Sequence, residues 1–109
     1  MHPNLGAERA VLAGGLKNED AYLDVETIVQ TNTFTDELNQ VGWKCVSHLR
    51  KDTNNVVIDL PLFRSAANEL GLAHIVEQKD SLDYFKSLLS FPVEPSNVRR
   101  FAQTIRNLK

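Results

Sequence analysis

Apolar residues recur at intervals of three and four along the chain, and no other feature restricts its fold as strongly. This interval places apolar side chains on one face of an α-helix. The opening stretch NLGAERAVLAGGL and the closing stretch EPSNVRRFAQTIRNLK both show it. No segment alternates apolar and polar residues over the length of a strand, and no hairpin signal is present. The sequence therefore predicts an all-α fold, a compact bundle of about six short helices.

Residues that favour helix N-termini divide the pattern into these segments. They are Asn4, Asn18, Thr35 with Asp36, Asp59, Asp80 or Ser81, and Ser96. A side-chain oxygen at such a position accepts a hydrogen bond from a free N–H group of the first turn. Gly71 is predicted to end the fourth helix, because glycine tolerates the left-handed conformation found there. The segment between the fourth and fifth helices is expected to be a polar linker.

Three further features predict how the segments pack. Gly14 and Gly15 lie inside the first helix, where glycine costs ~1 kcal/mol relative to alanine, so we expect a neighbouring helix to approach closely. Trp43 is expected at the edge of the apolar stripe of the third helix. The run VVI is too short to build a sheet alone. We therefore expect an extended connector that places Val57 or Ile58 in the core.

The length of the chain and its single cysteine restrict the class of protein. A chain of 109 residues suits one hydrophobic core. Cys45 cannot form an intramolecular disulfide, so nothing indicates an oxidising compartment. No apolar run approaches the ~20 residues of a membrane helix, and the N-terminus lacks the layout of a signal peptide. We expect a cytoplasmic protein with no membrane partner.

Charge is distributed unevenly along a chain whose formal net charge is -2. Residues 96–109 carry Arg99, Arg100, Arg106 and Lys109 and no acid. Residues 1–95 carry eight basic and fourteen acidic side chains, a net charge of -6. A body of that charge repels a phosphate backbone. We interpret the basic tail as a solvated helix face rather than as a nucleic-acid site.

The sequence lacks motifs for catalysis and metal binding. There is no G-x-x-x-x-G-K-[ST] loop for a triphosphate, no G-x-S-x-G elbow and no H-E-x-x-H helix. Cys45 and His48 are three residues apart, but a zinc site needs three or four protein ligands. Asp80 and Asp83 fit a helix cap and a solvated first-turn acid better than a catalytic pair. We predict no catalytic, cofactor or metal site in this chain.

Tyr84 is the aromatic residue with the strongest indication of a binding role. Leu82, Phe85 and Leu89 already supply the apolar face of its helix, which leaves the Tyr84 ring at the edge of that stripe. An aromatic ring at such an edge often marks a partner surface. A tyrosine lying over the domain's own core fits the pattern equally well, so both interpretations stay open.

Four stretches taken together resemble the N-terminal domain of DnaB-type replicative DNA helicases. They are NLGAERAVLAGGL, FTDELNQVGWKCVSHL, VIDLPLF and SLDYFKSLLSFPVEPSNVRRFAQTIR, in the family's order and spacing along nearly the whole chain. The signature P-x-x-x-x-N-[VI]-x-x-[YF]-A-x-x-[IV]-R runs from Pro92 to Arg106. Gly6, Asp80 and Ser81 depart from the family's pattern, as expected of a divergent, phage-encoded member.

The resemblance implies a non-catalytic collar domain of a hexameric helicase. In that family the N-terminal domains assemble as a ring, often a trimer of dimers, above a motor ring that binds ATP and magnesium. The resemblance also implies that the domain docks primase, can engage a helicase loader and contacts DNA mainly through the parent ring, in a bacterial cell or a phage-infected host. Residues 1–95 would form the globular head, and residues 96–109 the start of the leading helix of a truncated hairpin.

Two groups of residues follow as candidates for these contacts. Tyr84, with Glu8 as a weaker choice, is expected at the primase or loader interface. Phe101, Ile105 and Leu108, on the apolar face of the closing helix, are expected to mediate self-association. The alternative is a stand-alone adaptor that binds helicase or primase through the same helical head. A P-loop encoded downstream would indicate a helicase, and a stop codon an adaptor.

Overall fold

The structure, a computed structural model, describes residues 3–52 and 56–108. These residues form seven α-helices and one 3-10 turn, with no strand among them. The helices are α1 (Leu5–Lys17), α2 (Glu19–Val25), α3 (Glu37–Asp52), α4 (Leu60–Glu69), α5 (Ala73–Val76), α6 (Lys79–Leu89) and α7 (Pro95–Asn107), and the 3-10 turn is Thr31–Thr33. Within the described ranges no helix has the length and apolar character needed to cross a membrane. The all-α prediction is confirmed.

Helix α1 lies at the centre of the bundle and contacts α2, α3, α6 and α7. Two glycines let its neighbours approach closely. A Cβ atom added to Gly14 would lie 2.5 Å from Val98 Cγ2 on α7, and one added to Gly15 would lie 3.1 Å from Trp43 Cζ3 on α3. The first of these distances is a steric clash, because protein interiors have no room for an extra methyl group. The predicted close approach at Gly14 and Gly15 is confirmed.

Most of the predicted helix boundaries are confirmed by hydrogen bonds. Asn4, Asn18 and Asp59 each accept a hydrogen bond from the backbone N–H three residues later, at 3.0, 2.9 and 2.9 Å. Asp36 caps α3 in the same way at 3.2 Å. Gly71 follows α4 with a φ of 74°, the left-handed conformation that glycine adopts without steric cost. Local sequence therefore sets these five boundaries.

The predicted starts of the last two helices are wrong. Helix α6 begins at Lys79 rather than after a cap at Asp80 or Ser81. Ser81 is 5% exposed, so its side chain lies inside the fold and not at a free helix end. Helix α7 begins at Pro95 rather than after a Ser96 cap. Proline suits the first turn, because its φ is already helical and it has no N–H group to satisfy.

Two further predictions need correction. The expected polar linker after α4 contains α5, a single turn whose Val76 is completely buried. Trp43, expected at the edge of a stripe, is 3% exposed. Its ring centroid lies 5.4 Å from that of Tyr22 and 5.4 Å from that of Phe34. Residues from α2 and from the end of the 3-10 turn therefore cover the edge of α3, which the periodicity of α3 alone cannot show.

The connector into α4, residues 56–59, is in neither helix nor strand, and its last residue, Asp59, has the extended backbone that was predicted. Ile58 is 6% exposed and belongs to the core, whereas the neighbouring Val57 is 85% exposed. This alternation follows from extended backbone, in which successive side chains point to opposite sides. Of the two core candidates in the VVI run, the structure selects Ile58.

Candidate protein-interaction surface

Glu8, one of the two partner-contact candidates, lies inside the fold. Its side chain is 1% exposed on α1. The carboxylate accepts hydrogen bonds from Thr35 Oγ1 at 2.7 Å, from Thr35 N at 3.1 Å and from Asn39 Nδ2 at 3.0 Å. These donors belong to Thr35, just before α3, and to Asn39 in its first turn. The hydrogen bonds to Glu8 therefore connect α1 to the start of α3. These hydrogen bonds replace those to water that the carboxylate loses on burial.

Asn39 connects Glu8 to Tyr84, the other candidate. Asn39 is 1% exposed, and while its Nδ2 donates to Glu8, its Oδ1 accepts a hydrogen bond from the Tyr84 hydroxyl. We call these three residues the Glu8–Asn39–Tyr84 network. It joins α1, α3 and α6. The structure therefore brings the two candidate residues together through a third that the sequence did not single out.

The Tyr84 ring lies at the boundary between the core and solvent. The side chain is half-buried, and its hydroxyl points inward to Asn39. The guanidinium carbon of Arg9 lies 5.9 Å from the ring centroid, within the range of a cation–π contact. Burial raises the pKa of Tyr84, so the hydroxyl stays a hydrogen-bond donor at neutral pH. The hydroxyl end of Tyr84 is thus used inside the fold, and the Arg9 guanidinium lies over the ring.

The self-association candidates on α7 and at its C-terminal end differ in exposure. Ile105 is 2% exposed and belongs to the core, whereas Phe101 and Leu108 are half-buried. Helix α7 contacts α1 and α2, and its side chains Val98 and Ala102 are completely buried. The arginines of α7 all face solvent. The apolar stripe of α7 is therefore largely covered by the chain's own helices.

Cys45 and His48 do not form a pair. Cys45 is fully buried, which raises the pKa of its thiol to about 12. His48 Nε2 instead lies 3.6 Å from Glu69 Oε1. Among residues 3–52 and 56–108, no group of three histidine, cysteine, aspartate or glutamate side chains is placed to hold a metal ion. Cys45 behaves as a small apolar core residue.

A family model described as DnaB-like helicase N terminal domain matches residues 1–107. The chain belongs to this family. The match spans every described helix, so the seven-helix bundle is the fold of a helicase N-terminal domain. No curated protein and no solved structure matches the chain at a significant level.

This DnaB-like domain also contains a buried arginine that sequence reasoning missed. Arg50, 7% exposed on α3, donates from Nε to Gly15 O at 3.1 Å, from Nη2 to Leu16 O at 2.9 Å and from Nη1 to Val56 O at 2.8 Å. Two of these carbonyls lie at the C-terminal end of α1, where the last C=O groups have no hydrogen-bond partner within the helix. Burial lowers the pKa of Arg50, and the charge of Glu19 opposes that shift. The sequence gives no signal that separates Arg50 from an exposed arginine.

The division of the DnaB-like domain into a head of residues 1–95 and a hairpin helix from residue 96 stays a prediction. In this chain α7 closes one side of the bundle, through Val98 against Gly14 of α1. The head and the first turns of the closing helix therefore share one core.

Proposed function

We propose that this domain is the assembly and docking module of a DnaB-type replicative helicase. It would contribute to a collar ring made from several copies and would dock primase, with a helicase loader as a further partner. ATP and magnesium would bind in a motor domain outside this chain, and DNA would be contacted mainly by the assembled ring. The family match over residues 1–107 carries the proposal.

Exposed apolar side chains support a role in protein contacts. Leu5, Leu23, Val57 and Leu70 are 41%, 52%, 85% and 38% exposed. They come from α1, α2, the connector and the end of α4, so they are distributed over the surface. Such side chains add apolar contact area when a partner covers them, although binding hot spots are richer in tryptophan, tyrosine and arginine than in leucine or valine. A domain that contacts neighbours in a ring and also a second protein needs more than one surface of this kind.

Tyr84 is the best supported position for the primase contact. Its ring is held by the hydrogen bond to Asn39 and lies beside Arg9. Tyrosine and arginine are the residue types most enriched at binding hot spots, because each combines apolar area with hydrogen-bonding groups. Glu8 would act there only through Asn39, as a residue that positions the Tyr84 side chain.

Tyr84→Ala and Tyr84→Phe together test the docking site. Tyr84→Ala removes the ring and should weaken primase binding in isothermal titration calorimetry by ~10-fold or more. Tyr84→Phe keeps the ring and removes only the internal hydrogen bond, so it should lower thermal stability while primase binding stays within ~2-fold. Lys86→Ala, an exposed change on the same helix, is the matched control.

Unchanged primase affinity in Tyr84→Ala would refute the assignment of the docking site. Primase binding absent from the unmodified chain would refute the docking function itself. A third class of function is direct DNA binding by this domain. A titration with labelled single-stranded and double-stranded DNA at low salt tests it, since micromolar or tighter binding would make the domain a DNA contact in its own right.

A further inference from the structure

A groove of about 520 Å³ lies on the side of the bundle formed by α2, α3 and the turn from α4 to α5. Its lining includes Tyr22, Val29, Trp43 and Leu70, together with Lys44 and Lys51. The volume is within the range of ~300 to 1,000 Å³ of pockets that hold ligands or anchoring side chains. None of the three residues of the Glu8–Asn39–Tyr84 network lines the groove. The groove is therefore a second candidate surface, separate from Tyr84.

Beneath the groove lie aromatic side chains that are buried in the core. Trp43 and Tyr22 are each 3% exposed, and Trp43 is held between the rings of Tyr22 and Phe34. Leu70, 38% exposed, forms an apolar rim. It precedes Gly71, whose φ of 74° reverses the chain so that residues on both sides of the glycine, Leu70 and Leu72, line the groove. The apolar surface that a partner can reach in the groove is therefore that of Leu70 and Leu72, and it suits one apolar side chain.

Lysine outnumbers acid among the residues that line the same groove. Lys44 and Lys51 are exposed and stand seven residues apart on α3, which places them ~10 Å apart along the helix axis and on one face. Glu26 is the single acid among the lining residues. His48, also in the lining, pairs with Glu69 outside it. The lining of the groove thus has more lysine than acid, although the whole chain has a net charge of -2. A groove of this kind complements an acidic partner.

We propose that this groove binds an acidic helical segment of a partner protein. One apolar side chain of the segment packs against Leu70 and Leu72, and carboxylates on its flanks pair with Lys44 and Lys51. Two turns of a partner helix span the ~10 Å between the lysines, so acids seven residues apart reach both. The inference rests on the proposed docking function, for which it specifies the chemistry of one partner segment.

Two synthetic helical peptides test the proposal on the whole chain. The first carries one tryptophan and one leucine on one face, with glutamates at the remaining positions. The second has every glutamate replaced by lysine. Binding is followed by NMR, through the Trp43 indole signal and the Leu70 and Leu72 methyl signals. We expect the acidic peptide alone to shift these signals, with an affinity that falls as salt is raised.

Variants separate the groove from the rest of the surface. Leu70→Glu and the pair Lys44→Glu with Lys51→Glu should each weaken binding of the acidic peptide by ~10-fold or more. Leu23→Glu and the pair Lys79→Glu with Lys86→Glu make the same changes at exposed positions outside the groove and should alter binding by less than ~2-fold. All of these positions are exposed, so circular dichroism should show the fold unchanged.

Three results would overturn the proposal. They are equal shifts from both peptides, no shift in the three reporter signals, and displacement of the acidic peptide by single-stranded DNA or by a second copy of the chain. Primase binding in the same variants keeps the two hypotheses apart. If Leu70→Glu abolishes peptide binding and leaves primase binding intact, primase docks elsewhere and the groove is not its site. Peptide binding at the groove without primase binding to the unmodified chain would refute the docking function alone.

Discussion

Two buried polar residues connect helices that are distant in sequence. Glu8 receives hydrogen bonds from the start of α3, and Arg50 donates to the end of α1 and to the connector. Both side chains are less than a tenth exposed, yet their polar atoms have partners. A buried group of this kind stabilises one arrangement of the helices, because any other leaves it without hydrogen bonds.

Glu8→Gln should destabilise the fold by ~2 kcal/mol, since one end of the glutamine amide is itself a donor. That NH₂ group would face the Thr35 and Asn39 donors and leave one of them unsatisfied. Urea unfolding followed by circular dichroism measures the change. Glu37→Gln, the same substitution at an exposed position in the first turn of α3, should cost less than ~1 kcal/mol. Equal losses in the two variants would show that the buried network contributes nothing beyond charge.

Cys45 should make stability depend on pH above 9. Burial raises the pKa of the folded thiol from 9.0 to about 12, so between these values the unfolded chain releases a proton that the folded chain retains. The free energy of unfolding should therefore fall as pH rises, by ~1.4 kcal/mol per pH unit from this group. The Cys45→Ala variant has no thiol at this position, so its stability should lack this contribution to the pH dependence.

Urea unfolding of both proteins at about pH 8 and about pH 10 isolates the cysteine, because all other groups titrate alike in the two. The stability difference between wild type and Cys45→Ala should change by ~1.4 kcal/mol across that interval. A constant difference would show that the thiol ionises in the folded state as readily as in the unfolded one.

At the scale of elements, α1 and α7 approach each other closely at Gly14. Gly14 leaves room for Val98, whose two methyl groups would lie 2.5 and 2.9 Å from an added Cβ atom. Valine is branched at Cβ and has little rotamer freedom in a helix, so it cannot turn away. The glycine is thus required by the neighbouring helix, even though it weakens α1 itself.

Gly14→Ala should destabilise the domain by ~1 to 3 kcal/mol, despite the better helix propensity of alanine. Val98→Ala in the same chain removes the clash, so the double variant should lose less than the sum of the two single losses. Gly6→Ala is the control, because an added Cβ there meets only Asn4 Oδ1 at 3.6 Å. Thermal unfolding compares all four variants with the unmodified chain. Additive losses would mean that the close approach is not what requires glycine.

At the scale of the whole molecule, the isolated domain should self-associate through α7. Ile105 is used in the core, so the half-buried Phe101 and Leu108 would carry the contact. Leu108→Ser should weaken self-association by ~10-fold in sedimentation equilibrium, because it removes an apolar anchor at the end of the helix. Val57→Ser, at an 85% exposed position on the connector, should leave it unchanged. A pure monomer at high concentration would contradict the prediction.

Much of this architecture was predictable because it depends on local rules. The caps at Asn4, Asn18 and Asp59 and the turn at Gly71 follow from which side chains and φ angles a helix end accepts. The all-α class follows from periodicity. The α6 start could not be predicted in the same way, because Ser81 is a good cap by residue type but is buried by its neighbours.

The sequence by itself determined the helical class, most helix ends and the family of this domain. The tertiary structure decided which polar residues are buried, how Glu8 and Tyr84 meet through Asn39, and that Trp43 is buried beneath a groove lined by Lys44 and Lys51. The physical reason is the distance along the sequence over which each kind of interaction acts. Caps and periodicity act within a few residues, whereas these contacts join residues 31 and 45 positions apart, which only the packing of helices against one another brings together.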